Sequence, residues 1–243
     1  FLTSIYSYRP YYKDDGGIGK DPMQEWTYNC KDVCVTYECA LAIRKEMEEF
    51  NTLNFYTNHS NKLIRPMIQM QRRGVLIDVK RRAELDVELS AKEIELQARI
   101  DTSVGHPLNV SSPKQVKEFL YDDLGLPPIY SWGTKAGKKT KVVSTNEAAI
   151  EELQRRTNNP VLQLILEVRG IRKLLGTYIR APLEVDGRIC CSYKIAGTET
   201  GRLSSSESVY GRGTNLQNIP REPSVRSMFI PDTGYVLVNA DLS

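Results

Sequence analysis

Apolar residues recur at helical spacing through the first three quarters of the chain. Residues 1–25 lack that spacing, being rich in Tyr, Gly, Asp and Pro, and read as loop. Helices are predicted from about Tyr28 to Phe50 and from about Leu63 to Arg73, with Gly74 as a stop. Val75–Asp78 reads as a short apolar link. Over 81–101, Leu85, Leu89, Leu96 and Ile100 share one face and charges occupy the rest, which predicts a long amphipathic helix.

Three further helices carry terminal signals. Ser112, Pro113 and Gln115 supply an N-cap, a first-position proline and a capping-box partner. Val116, Phe119, Leu120 and Leu124 form that helix's apolar face, and Gly125 ends it. Ser144 with Glu147 predicts the same box for a helix over 145–156. Asn159-Pro160 opens the last, with Leu162, Ile165, Leu166, Ile171, Leu174, Leu175 and Tyr178 on its apolar face. Arg169, Arg172 and Lys173 lie on the other face, where solvation alone would account for them. After Pro182 the pattern turns to strands, Arg188–Tyr193 and Tyr235–Val238, joined by a long Gly/Ser/Asn loop. The expected fold class is α+β, a mostly helical segment followed by the start of an antiparallel sheet.

Composition narrows the class without naming a function. Of 243 residues, 40% are hydrophobic and 26% charged, as in ordinary globular chains, and the length allows one large domain or two small ones. A disordered tail, a collagenous repeat and a disulfide-dense miniature are excluded. The longest apolar run, Val161–Val168, is interrupted by Gln163 and Glu167 and falls short of the roughly 18 residues of a membrane span. The chain opens on Phe1 without a signal pattern and closes on an apolar run without a following turn, so it reads as an internal fragment. Cys30, Cys34, Cys39, Cys190 and Cys191 are expected as free thiols of a reducing compartment. A zinc site at the first three would want a second pair or histidines, and His59 and His106 lie far off in sequence.

Charge is uneven. The net +3 divides into −2 over 1–126 (17 basic, 19 acidic), +6 over 127–182 (10 and 4) and −1 over 183–243 (6 and 7). Lys135, Lys138, Lys139 and Lys141 fall in a Gly- and Lys-rich segment, 131–143, expected as a loop. Lysines there suit sequence-independent phosphate contacts, and a solvated surface loop fits the same composition. Thr200-Gly-Arg-Leu-Ser-Ser-Ser206, followed by Asn215-Leu-Gln-Asn-Ile-Pro220, places one arginine before a cluster of amides. Amides offer a donor and an acceptor each, which suits base edges and sugars in a minor groove, and arginine supplies a fork for phosphate. A turn-rich hairpin with self-satisfied amides is the other reading of that spacing.

These motifs, with Phe229-Ile-Pro and Asn239-Ala-Asp241-Leu-Ser243 after them, resemble family A DNA polymerases, the bacterial polymerase I type that includes many phage replicases. Met70-Gln-Arg-Arg-Gly-Val-Leu-Ile-Asp78, Asn109–Leu126 and Ile165–Tyr178 resemble segments of that family's thumb. Tyr28-Asn-Cys-Lys-Asp32 is similar to the third motif of its 3′–5′ exonuclease. The resemblance implies three parts: the end of an exonuclease-like domain (1–50), a thumb-like helical region (51–182) and the first part of a palm (183–243).

By the same resemblance, Asp241 is a catalytic palm carboxylate and metal ligand, and two Mg2+ ions serve the complete site. Arg202, Asn215, Gln217 and Asn218 contact the primer–template duplex. Arg169, Lys173, Lys135, Lys138, Lys139 and Lys141 grip phosphates, while Asp32 is an exonuclease metal ligand and Tyr28 positions water. Primer–template DNA and dNTP are the implied partners, with a processivity factor as a further one and no membrane; the location is cytoplasmic, that of a host for a phage protein. The long link Glu207–Thr214, and Asp241-Leu-Ser for the more usual Asp-Tyr-Ser, resemble viral versions. The second palm aspartate, the fingers and the first two exonuclease motifs lie outside the sequence, so the fragment alone is expected to be inactive. A non-catalytic DNA-binding homologue and an exonuclease-only protein stay open as alternatives.

Overall fold

Local capping starts the first long helix earlier than its apolar spacing predicts. In the computed structural model, which describes residues 1–16, 21–135, 138–208 and 211–240, the chain forms two compact units, Phe1–Gln69 and Met70–Ser243. In the first, helix α1 (Leu2–Tyr6) and a 3-10 turn (Lys13–Asp15) occupy part of the stretch expected as loop. Helix α2 (Pro22–Glu49) begins where Asp21 accepts a hydrogen bond from the Met23 amide at 3.1 Å and Pro22 takes the first turn. Tyr6 donates to Glu46, and the Arg9 guanidinium forks onto Glu38 at 3.0 and 2.5 Å, so α1 lies along α2. The core here is small: Tyr12, Val35 and Cys39, with Tyr6 and Tyr28 packed on them. Helix α3 (Leu53–Phe55), a π turn (Tyr56–Ser60) and α4 (Asn61–Arg73) follow.

The second unit is built on a sheet that the sequence pattern conceals. Gly74 ends α4 at φ +59°, and a Cβ there would stand 2.6 Å from both the Cys190 sulfur and the Ile189 carbonyl. Residues 75–78, expected as a link, instead contain strand β1 (Val75–Ile77). It is the centre of an antiparallel sheet between β4 (Arg188–Ile189) and β7 (Phe229–Ile230), with Leu76 opposite both Arg188 and Ile230. Three residues are too few to show a period, and the partners that satisfy their backbone lie far along the chain.

Helix α5 (Val79–Val104) is capped by Asp78, which accepts from the Arg81 amide at 2.9 Å. It packs on α8 (Pro160–Leu174), whose final turn widens into a π turn over Leu175–Ile179. Between them, α6 (Pro113–Lys117) continues as a π turn to Asp123. Only half of its expected capping box forms: Ser112 accepts from the Gln115 amide, but Gln115 Oε1 accepts from Asn109 N at 2.8 Å. Helix α7 (Glu147–Thr157) is capped by Asn146 rather than Ser144, with Asn146 Oδ1 accepting from Ala149 N at 2.9 Å. Ser144 Oγ instead accepts from the Asn146 amide at 3.3 Å, while its backbone amide donates to the Ile129 carbonyl at 2.8 Å and its carbonyl accepts from the Tyr121 hydroxyl at 2.6 Å.

Segment 131–143, expected as a loop, is largely a hairpin of β2 (Tyr130–Lys135) and β3 (Lys138–Val143). Alternating Tyr130, Trp132 and Val142 favours extended backbone over the loop tendency of the glycines and lysines. The stretch expected as one strand over 188–193 is broken by buried Cys190 and Cys191; β4 precedes the break and β5 (Ser192–Lys194) follows, pairing with β6 (Ser204–Ser206). Helix α9 (Pro223–Arg226) leads to β7. Tyr235–Val238, expected as a strand, forms none: these side chains are 61–83% exposed, and the Tyr235 amide donates to the Asp232 carbonyl in a local turn. One core unites helices and sheet, with Leu85, Ile100, Leu120, Leu153, Leu162 and Ile165 packed with Ile77, Ile189, Val225 and Met228. Burial of each such aliphatic side chain contributes about 1.5–3 kcal/mol. The α+β class expected from the sequence is the one observed. No helix among the described residues is long and apolar enough to cross a membrane.

Candidate nucleic-acid interface

The arginine–amide segment folds as a hairpin followed by a capped turn. Tyr193 pairs with Ser205 across β5 and β6, which aims the Ser205 hydroxyl at Asn215 Oδ1, 2.5 Å away. The same Oδ1 accepts from Gln217 N at 3.1 Å and caps the 3-10 turn Leu216–Asn218. Asn215 thus uses its acceptor internally and keeps its amide hydrogens for a ligand. Gln217 and Asn218 are exposed beside it, and Asn218 is held from behind by Tyr178, whose hydroxyl donates to its carbonyl at 2.5 Å. Burial raises the Tyr178 hydroxyl above its ordinary pKa, so it remains the donor at neutral pH. Arg202 is exposed two residues before β6, its carbonyl accepting from Thr198 at 2.7 Å.

A groove of about 790 Å³ runs between α8 with its π turn and the 215–224 segment. Lys92, Lys173, Thr177, Asn215 and Asn218 line it, so the structure brings together three residues that the sequence singled out separately. Glu147, Glu167 and Glu222 are also on its walls, so its carboxylates outnumber the ammonium groups of Lys92 and Lys173. Sequence reasoning missed Lys92 and Thr177, because nothing local marks which turn of a helix will face a distant loop.

Arg169 needs correction. Its guanidinium is partly buried and donates to the carbonyls of Val110 at 2.7 Å and Thr145 at 2.6 Å, which spends its fork on the chain's own backbone. Desolvation lowers its pKa, as for a cation removed from water. It is a clamp between α8 and the root of the β2–β3 hairpin, with Nε and one terminal nitrogen used on the chain's own carbonyls. Arg172 is likewise engaged, with Glu93 at 2.7 Å, Gln97 at 3.0 Å and Ser111 at 2.8 Å. Lys139 and Lys141 are exposed on β3; Lys135 and Lys138 belong to the strands, but their side chains lie outside the described part.

In the first unit, Asp32 Oδ1 accepts from Lys13 at 2.5 Å and from Tyr12 at 2.6 Å, and the Tyr28 hydroxyl accepts from Lys13 at 3.3 Å. These hydrogen bonds, Lys13 first, hold the Asp32 carboxyl below its usual range. The cation at this carboxylate is the chain's own ammonium, so the arrangement does not fit a metal ion. Among the described residues no three His, Cys, Asp or Glu side chains converge as a metal site. Asp241 lies outside the described residues. Upstream of it, Asp232 takes both Arg73 at 3.0 Å and Arg188, and the Arg73 guanidinium lies 5.5 Å from the Tyr235 ring centroid.

The class that this fold and groove define is matched by comparison with known proteins. The family model "DNA polymerase family A" matches residues 79–243. The thermostable DNA polymerase I of Thermus thermophilus is 34% identical over 238 residues, covering 93% of this chain and 27% of that protein. DNA polymerase I of Synechocystis sp. is 33% identical over 241 residues, covering 95% and 23%. Among solved structures, the POL domain of Pol1 from M. smegmatis, in complex with DNA primer-template and dNTP, is similar with a TM-score of 0.65 and 27% identity, over 84% of this chain and 35% of that one. The chain belongs to the family A DNA polymerases. It spans about a quarter of the length of these curated relatives.

Proposed function

We propose that this chain is the thumb and the first part of the palm of a DNA-directed DNA polymerase that binds primer–template DNA and adds dNTPs during replication. The observation that carries this reading is the shared groove, where Lys173 from α8 meets Asn215 and Asn218 from the loop that follows the Thr-Gly-Arg-Leu-Ser-Ser motif. An ammonium suits phosphate, and amide donors suit the minor-groove acceptors present in every base pair, so duplex geometry is read while sequence is ignored. Arg202, Gln217, Lys139 and Lys141 are exposed and free to meet DNA. The relatives' name and the primer–template and dNTP of the Pol1 complex support the same partners.

Asp241 is assigned as a palm carboxylate; magnesium bound there would supply charge neutralisation at the reacting phosphate. Tyr28 and Asp32 are assigned to an exonuclease-like part, with no nuclease step attributed to them while Lys13 holds Asp32. The test is fluorescence anisotropy with a labelled primer–template. Lys173→Gln is expected to weaken binding and to reduce the salt slope by roughly one. Asp241→Asn, in a polypeptide that includes the rest of the palm and fingers, is expected to abolish primer extension. Extension retained by that variant would remove Asp241 from the catalytic role.

A further inference from the structure

The β2–β3 hairpin carries an aromatic surface that sequence reasoning passed over. Side chains alternate across a strand, so Tyr130 and Trp132 share one face, and the register sets Lys141 opposite Trp132 and Val143 opposite Tyr130. Lys139, opposite Thr134, belongs to the same face. Trp132 is 71% exposed and Tyr130 57%, and the Lys141 ammonium stands 5.9 Å from the Trp132 ring centroid. An indole left in water forgoes the burial that a tryptophan ordinarily gains. The root of the hairpin is fixed, by Arg169 on the Thr145 carbonyl, Tyr121 on the Ser144 carbonyl and the Ser144 amide on Ile129. An exposed aromatic on a firmly rooted arm is therefore preorganised for a ligand.

We infer that this face binds single-stranded DNA, an unpaired base stacking on Trp132 while Lys139 and Lys141 hold neighbouring phosphates. Charge supports the choice of a polyanion, since residues 130–143 include four lysines and no acidic side chain. The aromatic supports the single strand: in a duplex the base faces are hidden, whereas a single strand offers base and phosphate alternately, matching an indole between ammonium groups. The inference rests on the DNA-binding reading above and deepens it by naming the form of DNA at a second surface.

The sequence has two tryptophans, so Trp26→Phe leaves Trp132 as the only one and a direct reporter. The full chain with that substitution is titrated with oligodeoxythymidylate, a blunt duplex of equal length and poly-glutamate. Oligodeoxythymidylate is expected to quench Trp132 emission. Trp132→Ala, followed by anisotropy, is expected to weaken its binding roughly tenfold without altering the salt slope, and Trp132→Phe to restore most of it. Lys139→Gln with Lys141→Gln is expected to lower the single-strand salt slope by roughly 1.4. Duplex binding with Trp132 emission unchanged by either DNA overturns the stacking role and leaves the DNA-binding reading standing. Failure to bind either DNA overturns both, and equal quenching by poly-glutamate reduces the face to charge attraction and overturns the single-strand assignment.

Discussion

Tyr178 donates its hydroxyl hydrogen to the backbone carbonyl of Asn218 at 2.5 Å, joining the π turn at the end of α8 to the amide cluster. The tyrosine is 3% exposed, so Tyr178→Phe leaves a carbonyl without its partner and little water to replace it. A loss of about 1–2 kcal/mol in urea unfolding is expected. Primer–template affinity should fall with it, because Asn218 is no longer fixed at the groove. Unchanged affinity would detach the amide cluster from DNA binding.

Arg169 and Lys173 sit one turn apart on α8 and should behave differently. Arg169→Ala unpairs two carbonyls and is expected to cost about 2–3 kcal/mol of stability. At a temperature where both variants are folded, its DNA salt slope should match the parent's, whereas that of Lys173→Gln should be shallower. A reduced slope in Arg169→Ala would reinstate it as a phosphate contact.

Gly213 adopts φ +77°, and a Cβ there would fall 1.8 Å from the Cys190 carbonyl oxygen. Its amide donates to Pro182 and the next amide to Cys190, so the backbone has little room to retreat. Gly213→Ala is expected to lose about 3 kcal/mol or more, read from the shift in denaturation midpoint. A change below about 1 kcal/mol would show that this segment yields.

Asp232 is held below its ordinary carboxyl pKa of 3.8 by hydrogen bonds from Arg73 and then Arg188. A depressed folded-state value stabilises the fold above the unfolded pKa, and that contribution disappears as pH falls through the folded value. Asp232→Asn should therefore be less stable than the parent at pH 7, and the difference should close below about pH 4. Denaturation midpoints across that range check it, and a gap independent of pH would assign the loss to geometry instead of charge.

What the sequence disclosed follows from how local each cause is. Asn159-Pro160 and Ser112-Pro113 place helix starts correctly, because a cap and a proline act within one turn. Ser144 misled because Asn146, an equally good cap two residues on, takes the helix start and donates its own amide to Ser144 Oγ. Val75–Ile77 gave no strand signal, since its partners are β4 and β7. At the candidate site, Asn215 and Asn218 were marked by the motif, but the internal use of Asn215 Oδ1 and the shared groove with Lys92 depend on the tertiary fold. Trp132 did leave a trace, the alternation Tyr130-x-Trp132, which the neighbouring lysines obscured.

The pairing of Leu76 with Arg188 means that everything between them leaves the sheet and returns to the adjacent strand. The helical arm is topologically an insertion whose two ends are already closed upon each other. Lengthening or shortening it adds only a slowly growing loop-closure entropy, with little demand on the strands at its root. Arms of different reach can therefore be exchanged on one sheet while β4, β1 and β7 keep their pairing.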